Sequence, residues 1–190
     1  DNDGYPFIKD ENTASCIKCG HCVAFCPHDA CMIESIVDAD SVDKALMPTE
    51  EQTDTLLLSR RSIRRYKKDG LPRQELERLI HIASQVPSAS NSRLIRWVVL
   101  EQRHQLDKVV ELMMDFFRAG LKTAEPGSRG AALMQRLIGA HEAGVDVIFR
   151  TAPQLIIAAA TTPYDWKIED ASIALTYLEI AAHGHGAGAC

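Results

Sequence analysis

The sequence predicts an α+β protein in which helices surround a few apolar strands, with a small cysteine-rich domain in front. Three observations carry this. Two short apolar runs, Trp97–Leu100 and Leu155–Ala160, read as buried strands, the second bracketed by Pro153 and Pro163. Longer segments around them repeat apolar residues at helical spacing. Five of the six cysteines fall between residues 16 and 31, apart from everything else.

Composition bounds the partners. A hydrophobic share of 46% against 25% charged residues lets 190 residues bury one or two cores. The net charge of -5 offers nucleic acid and anionic lipid no general attraction, so no nucleic-acid partner is expected. No run approaches the ~18 apolar residues of a spanning helix, and no basic-then-apolar leader opens the chain. A cytoplasmic protein with no membrane partner is the expectation. The sequence starts without methionine and stops inside a Gly-rich run, so part of a longer protein is expected.

Taken in order, residues 1–34 form the cysteine domain and 35–48 a connector poor in aromatics. The second domain is 49–190. Thr49-Glu50-Glu51-Gln52 fits a capping box, and the helix it opens carries Leu56, Leu57 and Leu58 into an Arg-rich stretch. Asp69-Gly70 turns the chain, and Pro72 sits where a first helical residue tolerates it. Leu76, Leu79, Ile80 and Ala83 make one apolar face, and Pro87 ends the segment. After the first strand a helix runs from Gln105 to Ala119, then another from Ala131 to Ala143. The last, Glu169 to Ala182, spreads Ile173, Leu175, Tyr177, Leu178 and Ile180 around its circumference, which predicts burial on more than one side.

The cysteine segment has its own chemistry. Cys16, Cys19, Cys22 and Cys26, followed by Pro27, match the bacterial ferredoxin run C-x2-C-x2-C-x3-C-P. Thiolates at this spacing suit a 4Fe-4S cluster, and Gly20 permits a close turn. Disulfides are disfavoured without a secretory signal, and zinc knuckles ordinarily lie farther apart. His21 reads as a loop residue and Cys31 as a small buried apolar one. In two-cluster ferredoxins the fourth cysteine of each run serves the other cluster. Cys16, Cys19 and Cys22 would then hold one cluster and Cys26 a second, completed by an upstream run; a single cluster with an unusual fourth ligand is the alternative.

Two further stretches belong together. Ser59-Arg60-Arg61-Ser62-Ile63-Arg64-Arg65-Tyr66 packs four guanidinium groups and two serine hydroxyls into eight residues, donors suited to a phosphate. A solvated basic face is the plain alternative. Later comes the small polar loop Val86-Pro87-Ser88-Ala89-Ser90-Asn91-Ser92. The pair resembles motifs of the FMN-dependent nitroreductase family, over roughly residues 53–190, and Gly184–Cys190 is similar to that family's Gly-rich segment.

The resemblance implies a nitroreductase-like FMN-binding domain, a central sheet surrounded by helices, behind the ferredoxin-like one. It implies that Arg60 contacts the flavin phosphate with Arg61 assisting, that Ser62 bonds to the cofactor, and that Arg64 reaches the ring edge. Pro87, Ser88, Ser90 and Asn91 would approach the flavin from the other subunit of a homodimer, and Gly186 and Gly188 would complete the cofactor-binding set. The sequence departs from the family at Arg93-Leu94, where Gln-Pro is usual, and at His185. No catalytic general base is needed. The implied function is an oxidoreductase that exchanges electrons between an iron-sulfur cluster and FMN and reduces nitro, quinone or similar small acceptors. Its donor would be ferredoxin or NAD(P)H. A non-catalytic electron-transfer protein and a dehalogenase-like relative are the alternatives.

Overall fold

The computed structural model describes residues 9–28, 30–33, 42–160 and 162–190. Residues 1–8, 29 and 34 of the predicted 1–34 cysteine domain and half of the predicted 35–48 connector, residues 35–41, lie outside these. The described elements are α1 (Asp10–Thr13), α2 (His21–Ala24), α3 (Glu50–Ser59), α4 (Arg73–Ala83), β1 (Ile95–Leu100), α5 (Arg103–Leu121), α6 (Arg129–Glu142), β2 (Leu155–Ala160) and α7 (Lys167–Gly184).

Local chemistry sets the helix starts. The Thr49 hydroxyl accepts from the Gln52 N–H at 3.2 Å and the Gln52 side chain accepts from the Thr49 N–H at 2.9 Å, the capping box that the sequence announced. Pro72 is the extended residue just before α4, not its first helical one. α3 ends at Ser59, and residues 60–66 carry no regular structure, so the helix stops short of the arginines.

β1 and β2 pair antiparallel, Ile95 opposite Ala160 through Leu100 opposite Leu155. Both pack against one core through Trp97 and Ile156, but no residue of either is fully buried, and Val98 is 44% exposed. The expectation of fully buried strands is therefore corrected: two strands offer two faces, and this chain covers them incompletely.

The main core lies between α4, α7 and the strands. Leu79 and Ala83 meet Leu178 and Ala182, with Trp97, Ile156 and Leu71 around them. Alanines at 83 and 182 let the two helices approach closely. A second core holds Val110, Met114 and Ile138 between α5 and α6. Gln154 ties the chain before α4 to the start of β2, accepting from Leu71 N–H and donating to Leu71 C=O, both at 2.8 Å.

α7 organises the rest. Its buried stripe is Asp170, Ala174, Leu178 and Ala182, spaced four residues apart. Ile173, Leu175 and Tyr177 are exposed, so burial on more than one side, as predicted, does not occur within this chain. The apolar residues are there, but no element of the described chain covers them. Among the described residues no helix is long and apolar enough to cross a membrane.

Candidate functional site

The Arg-rich stretch runs extended beside the end of α7. Ser59 Oγ bonds to His183 Nε2 at 2.7 Å, Arg60 Nη1 donates to Glu179 Oε1 at 2.7 Å, and Ile63 N–H donates to Ala189 C=O at 2.9 Å. The structure thus joins two sequence motifs more than a hundred residues apart. Arg60 is half-buried, whereas Ser62 and Arg64 are exposed. Arg61 folds back, its Nη1 donating to the carbonyls of Leu58 and Arg60 at 2.7 and 2.8 Å.

The two tail glycines act differently. Gly186 has φ of 74°, which favours a residue without Cβ. At Gly188 the limit is space, because a Cβ would lie 2.8 Å from Ile63 Cγ2 and 2.9 Å from Ile63 Cβ. Gly188 thus lets the tail lie directly on the arginine segment, while the space beside Gly186 is open.

The loop 87–92 is built around a carboxylate that lies outside both sequence motifs. Asp170, 3% exposed, accepts from the Ala89 N–H at 3.0 and 3.3 Å, from Tyr164 OH at 3.2 Å and from Ser92 Oγ at 3.5 Å. A buried carboxylate needs such donors, and these hold the loop to α7. Burial, and then donation to Asp170, push the Tyr164 hydroxyl above its ordinary value. One signal was available: an acid on the buried i, i+4 row of Ala174 and Leu178 demands partners. Ser88 Oγ accepts from the Arg93 N–H at 3.1 Å. Ser90, Asn91 and Arg93 have φ of 51°, 53° and 49°, a conformation that persists only where surroundings enforce it. Pro87 and Ser90 are exposed, Ser88 and Asn91 half-buried.

α7 separates the two halves of the predicted site. Asp170 and His183 stand about 20 Å apart along the helix axis at the rise of an α-helix. The 87–92 loop is tied to one end and the Arg60–Arg64 segment to the other. Two concavities, of 260 and 550 Å³, lie elsewhere, and none of the predicted cofactor residues lines either.

Cys16, Cys19 and Cys22 are exposed and Cys26 is half-buried. Among the described residues no group of three or more Cys, His, Asp or Glu is gathered to hold a metal. The four thiols predicted as ligands, Cys16 and Cys19 before α2, Cys22 on it and Cys26 after it, are not gathered into such a group. Cys31 is half-buried instead of buried, because it sits beside another thiol and not in a core. Hydrogen bonds from the backbone of His28 and then Ala30, the latter 3.2 Å from the sulfur, pull the Cys26 thiol down; its hydrogen bond with Cys26 pushes Cys31 up.

A sequence model described as the nitroreductase family matches residues 57–190. Among solved structures the chain is similar to a nitroreductase with bound FMN from Bacteroides fragilis NCTC 9343, at 19% identity over 69% of this chain and 64% of that one, with a TM-score of 0.55. It is similar to an FMN-dependent nitroreductase from Clostridium difficile R20291, at 20% identity over 75% of this chain and 60% of that one, with a TM-score of 0.57. An iodotyrosine deiodinase bound to FMN and 3-iodo-L-tyrosine follows at 19% identity, covering 70% of each chain, with a TM-score of 0.52. The chain thus spans less than two thirds of the length of the two nitroreductases, and at these identities the likeness is one of fold. No curated protein matches it.

Proposed function

Because the chain belongs to the nitroreductase family, with the family match running from residue 57 to residue 190, we propose that it is an FMN-dependent oxidoreductase whose flavin sites form between two copies. One observation carries this reading. The arginine segment and the Gly-rich tail are assembled at one end of α7, while the 87–92 loop is held at the other. A single chain cannot bring both to one flavin, but two copies packed antiparallel along α7 can. The exposed Ile168, Ile173, Leu175 and Tyr177 supply an apolar surface for that packing.

The residues present fit FMN. Arg60 spends one Nη1 donor on Glu179, which orients the guanidinium and leaves further N–H groups for a phosphate. Ser62 is exposed beside it as a short donor, and Arg61 can assist if its side chain is released from the backbone carbonyls. Gly186 borders open space, where the tail backbone can approach the cofactor, while Gly188 packs the tail on Ile63 next to Ser62 and Arg64. Arg64, exposed, provides a cation for the ring edge, where negative charge collects on reduction. Bound FMN supplies hydride or electron transfer; the chain's own groups bind it, orient it and balance its charge. Pro87, Ser88, Ser90 and Asn91 of the second copy close over it. Acceptors are nitro, quinone or similar small molecules, with NAD(P)H or a ferredoxin as donor.

The iron-sulfur part of the reading rests on the donor set of Cys16, Cys19, Cys22 and Cys26 alone. As the thiols stand, they do not fit a cluster, and no electron step is derived through one. Iron and sulfide analysis of the purified protein decides whether the run is loaded.

The test of the flavin assignment is fluorescence titration of FMN against Arg60→Ala. Losing a charge-assisted hydrogen bond costs about 1.5–3 kcal/mol, roughly ten- to hundredfold in affinity. Unchanged affinity refutes the assignment. A dehalogenase-like activity is the second reading, favoured by the likeness to the deiodinase fold, and product analysis with halo-aromatic and nitro substrates separates the two.

A further inference from the structure

Asn91 reaches out of its own domain. Its Nδ2 donates to two backbone carbonyls of the cysteine segment, Ile17 at 3.1 Å and Lys18 at 3.0 Å. Its Oδ1 accepts from Arg93 Nε at 3.2 Å, so the amide is oriented with its hydrogens toward the cysteine loop. Arg93 is fixed in turn through its own N–H to Ser88 Oγ, and the loop through Ala89 to Asp170. Hydrogen bonds joined through the Ser88–Ala89 peptide therefore lead from the buried carboxylate on α7 to the backbone between Cys16 and Cys19. The receiving side is shaped for it: Lys18 has φ of 51°, and its dihedrals set the peptides on either side of it, whose carbonyls meet one donor group.

We propose that Asn91 is a docking residue that seats the cysteine loop on the 87–92 loop, so that the two keep one fixed geometry. The chemistry selects asparagine. Aspartate has no hydrogens to give two carbonyls, and serine has only one. The same network gives Arg93 a role in place of the usual residue there: it holds the amide in its donating orientation. The consequence rests on the flavin reading above: the cysteine loop is placed against the loop that closes on FMN, and ordering of one loop favours ordering of the other.

Limited trypsin digestion without added FMN tests the docking. Cleavage after Lys18 requires that its peptide leave Asn91, since the Lys18 carbonyl is one of the acceptors; cleavage after Lys9 serves as an internal reference. When opening is fast, the cleavage rate follows the population of the undocked loop. Asn91→Asp keeps a residue that tolerates positive φ but removes both donors, and Asn91→Gly removes the side chain without backbone strain. Both are expected to raise the Lys18-to-Lys9 cleavage ratio about tenfold over wild type. An unchanged ratio in both variants overturns the proposal. Because no flavin is added, failure of the protein to bind FMN would defeat the proposed function and leave this comparison standing.

Discussion

Replacing Gly188 by alanine tests how the arginine segment is held. The added Cβ would stand 2.8 Å from Ile63 Cγ2, 2.9 Å from its Cβ and 3.0 Å from its Cγ1, about 1 Å inside ordinary contact. Rotating the Ile63 side chain moves both γ carbons but leaves the Cβ clash, and the Ile63 backbone is tied to Ala189 at 2.9 Å. The backbone segments must therefore part. Overpacking of this kind costs about 1–3 kcal/mol, and loss of the Ile63–Ala189 bond adds about 1 kcal/mol. A total of about 2–4 kcal/mol lowers Tm by about 4–16 °C for a chain of this size. If the tail moves away instead, the same energy appears as weaker FMN binding, about 30- to 900-fold, because Ser62 and Arg64 flank the displaced residue. Thermal melts and FMN titrations of Gly188→Ala read the two effects, and Ile63→Ala in the same chain should restore part of either. Wild-type Tm together with wild-type FMN affinity in Gly188→Ala would refute the packing of tail on arginine segment.

Two further outcomes follow from the core and from a loop carboxylate. Leu79→Ala empties a site that is 1% exposed between α4 and α7, and chemical denaturation should show a loss of about 3–4 kcal/mol. Burial alone would push the Asp146 carboxyl up, but the N–H groups of Thr151 at 3.0 Å and Phe149 at 2.9 Å and the Arg103 guanidinium at 2.9 Å hold it below the usual range. A depressed carboxylate adds stability above its unfolded pKa, about 3.9, and loses it as pH falls through the folded value. Asp146→Asn should therefore cost about 1–2 kcal/mol at pH 7, with the gap from wild type closing below about pH 4; a gap independent of pH would contradict the assignment.

Periodicity and local rules let the sequence by itself determine most elements of the second domain. The Thr49–Gln52 box, the Leu76–Leu79–Ala83 face and the apolar runs that became β1 and β2 all depend on residues within a turn or two of one another. Helix ends shifted by a residue or two, as at Arg103 and Leu121, because frayed turns take their last hydrogen bonds from context. The tertiary structure alone decided what meets what. Glu179 on Arg60, Ala189 on Ile63, Asp170 under Ala89 and Ile17 against Asn91 are separated by 74 to 126 residues, and no local pattern encodes such pairings. It also decided burial: α7 carries apolar residues all around, but a helix face is buried only where another element covers it, and here that is the row from Asp170 to Ala182. A sequence records which groups can bond; which of them are close enough to do so is set by the packing of α4, α7 and the strand pair, a property of the whole chain.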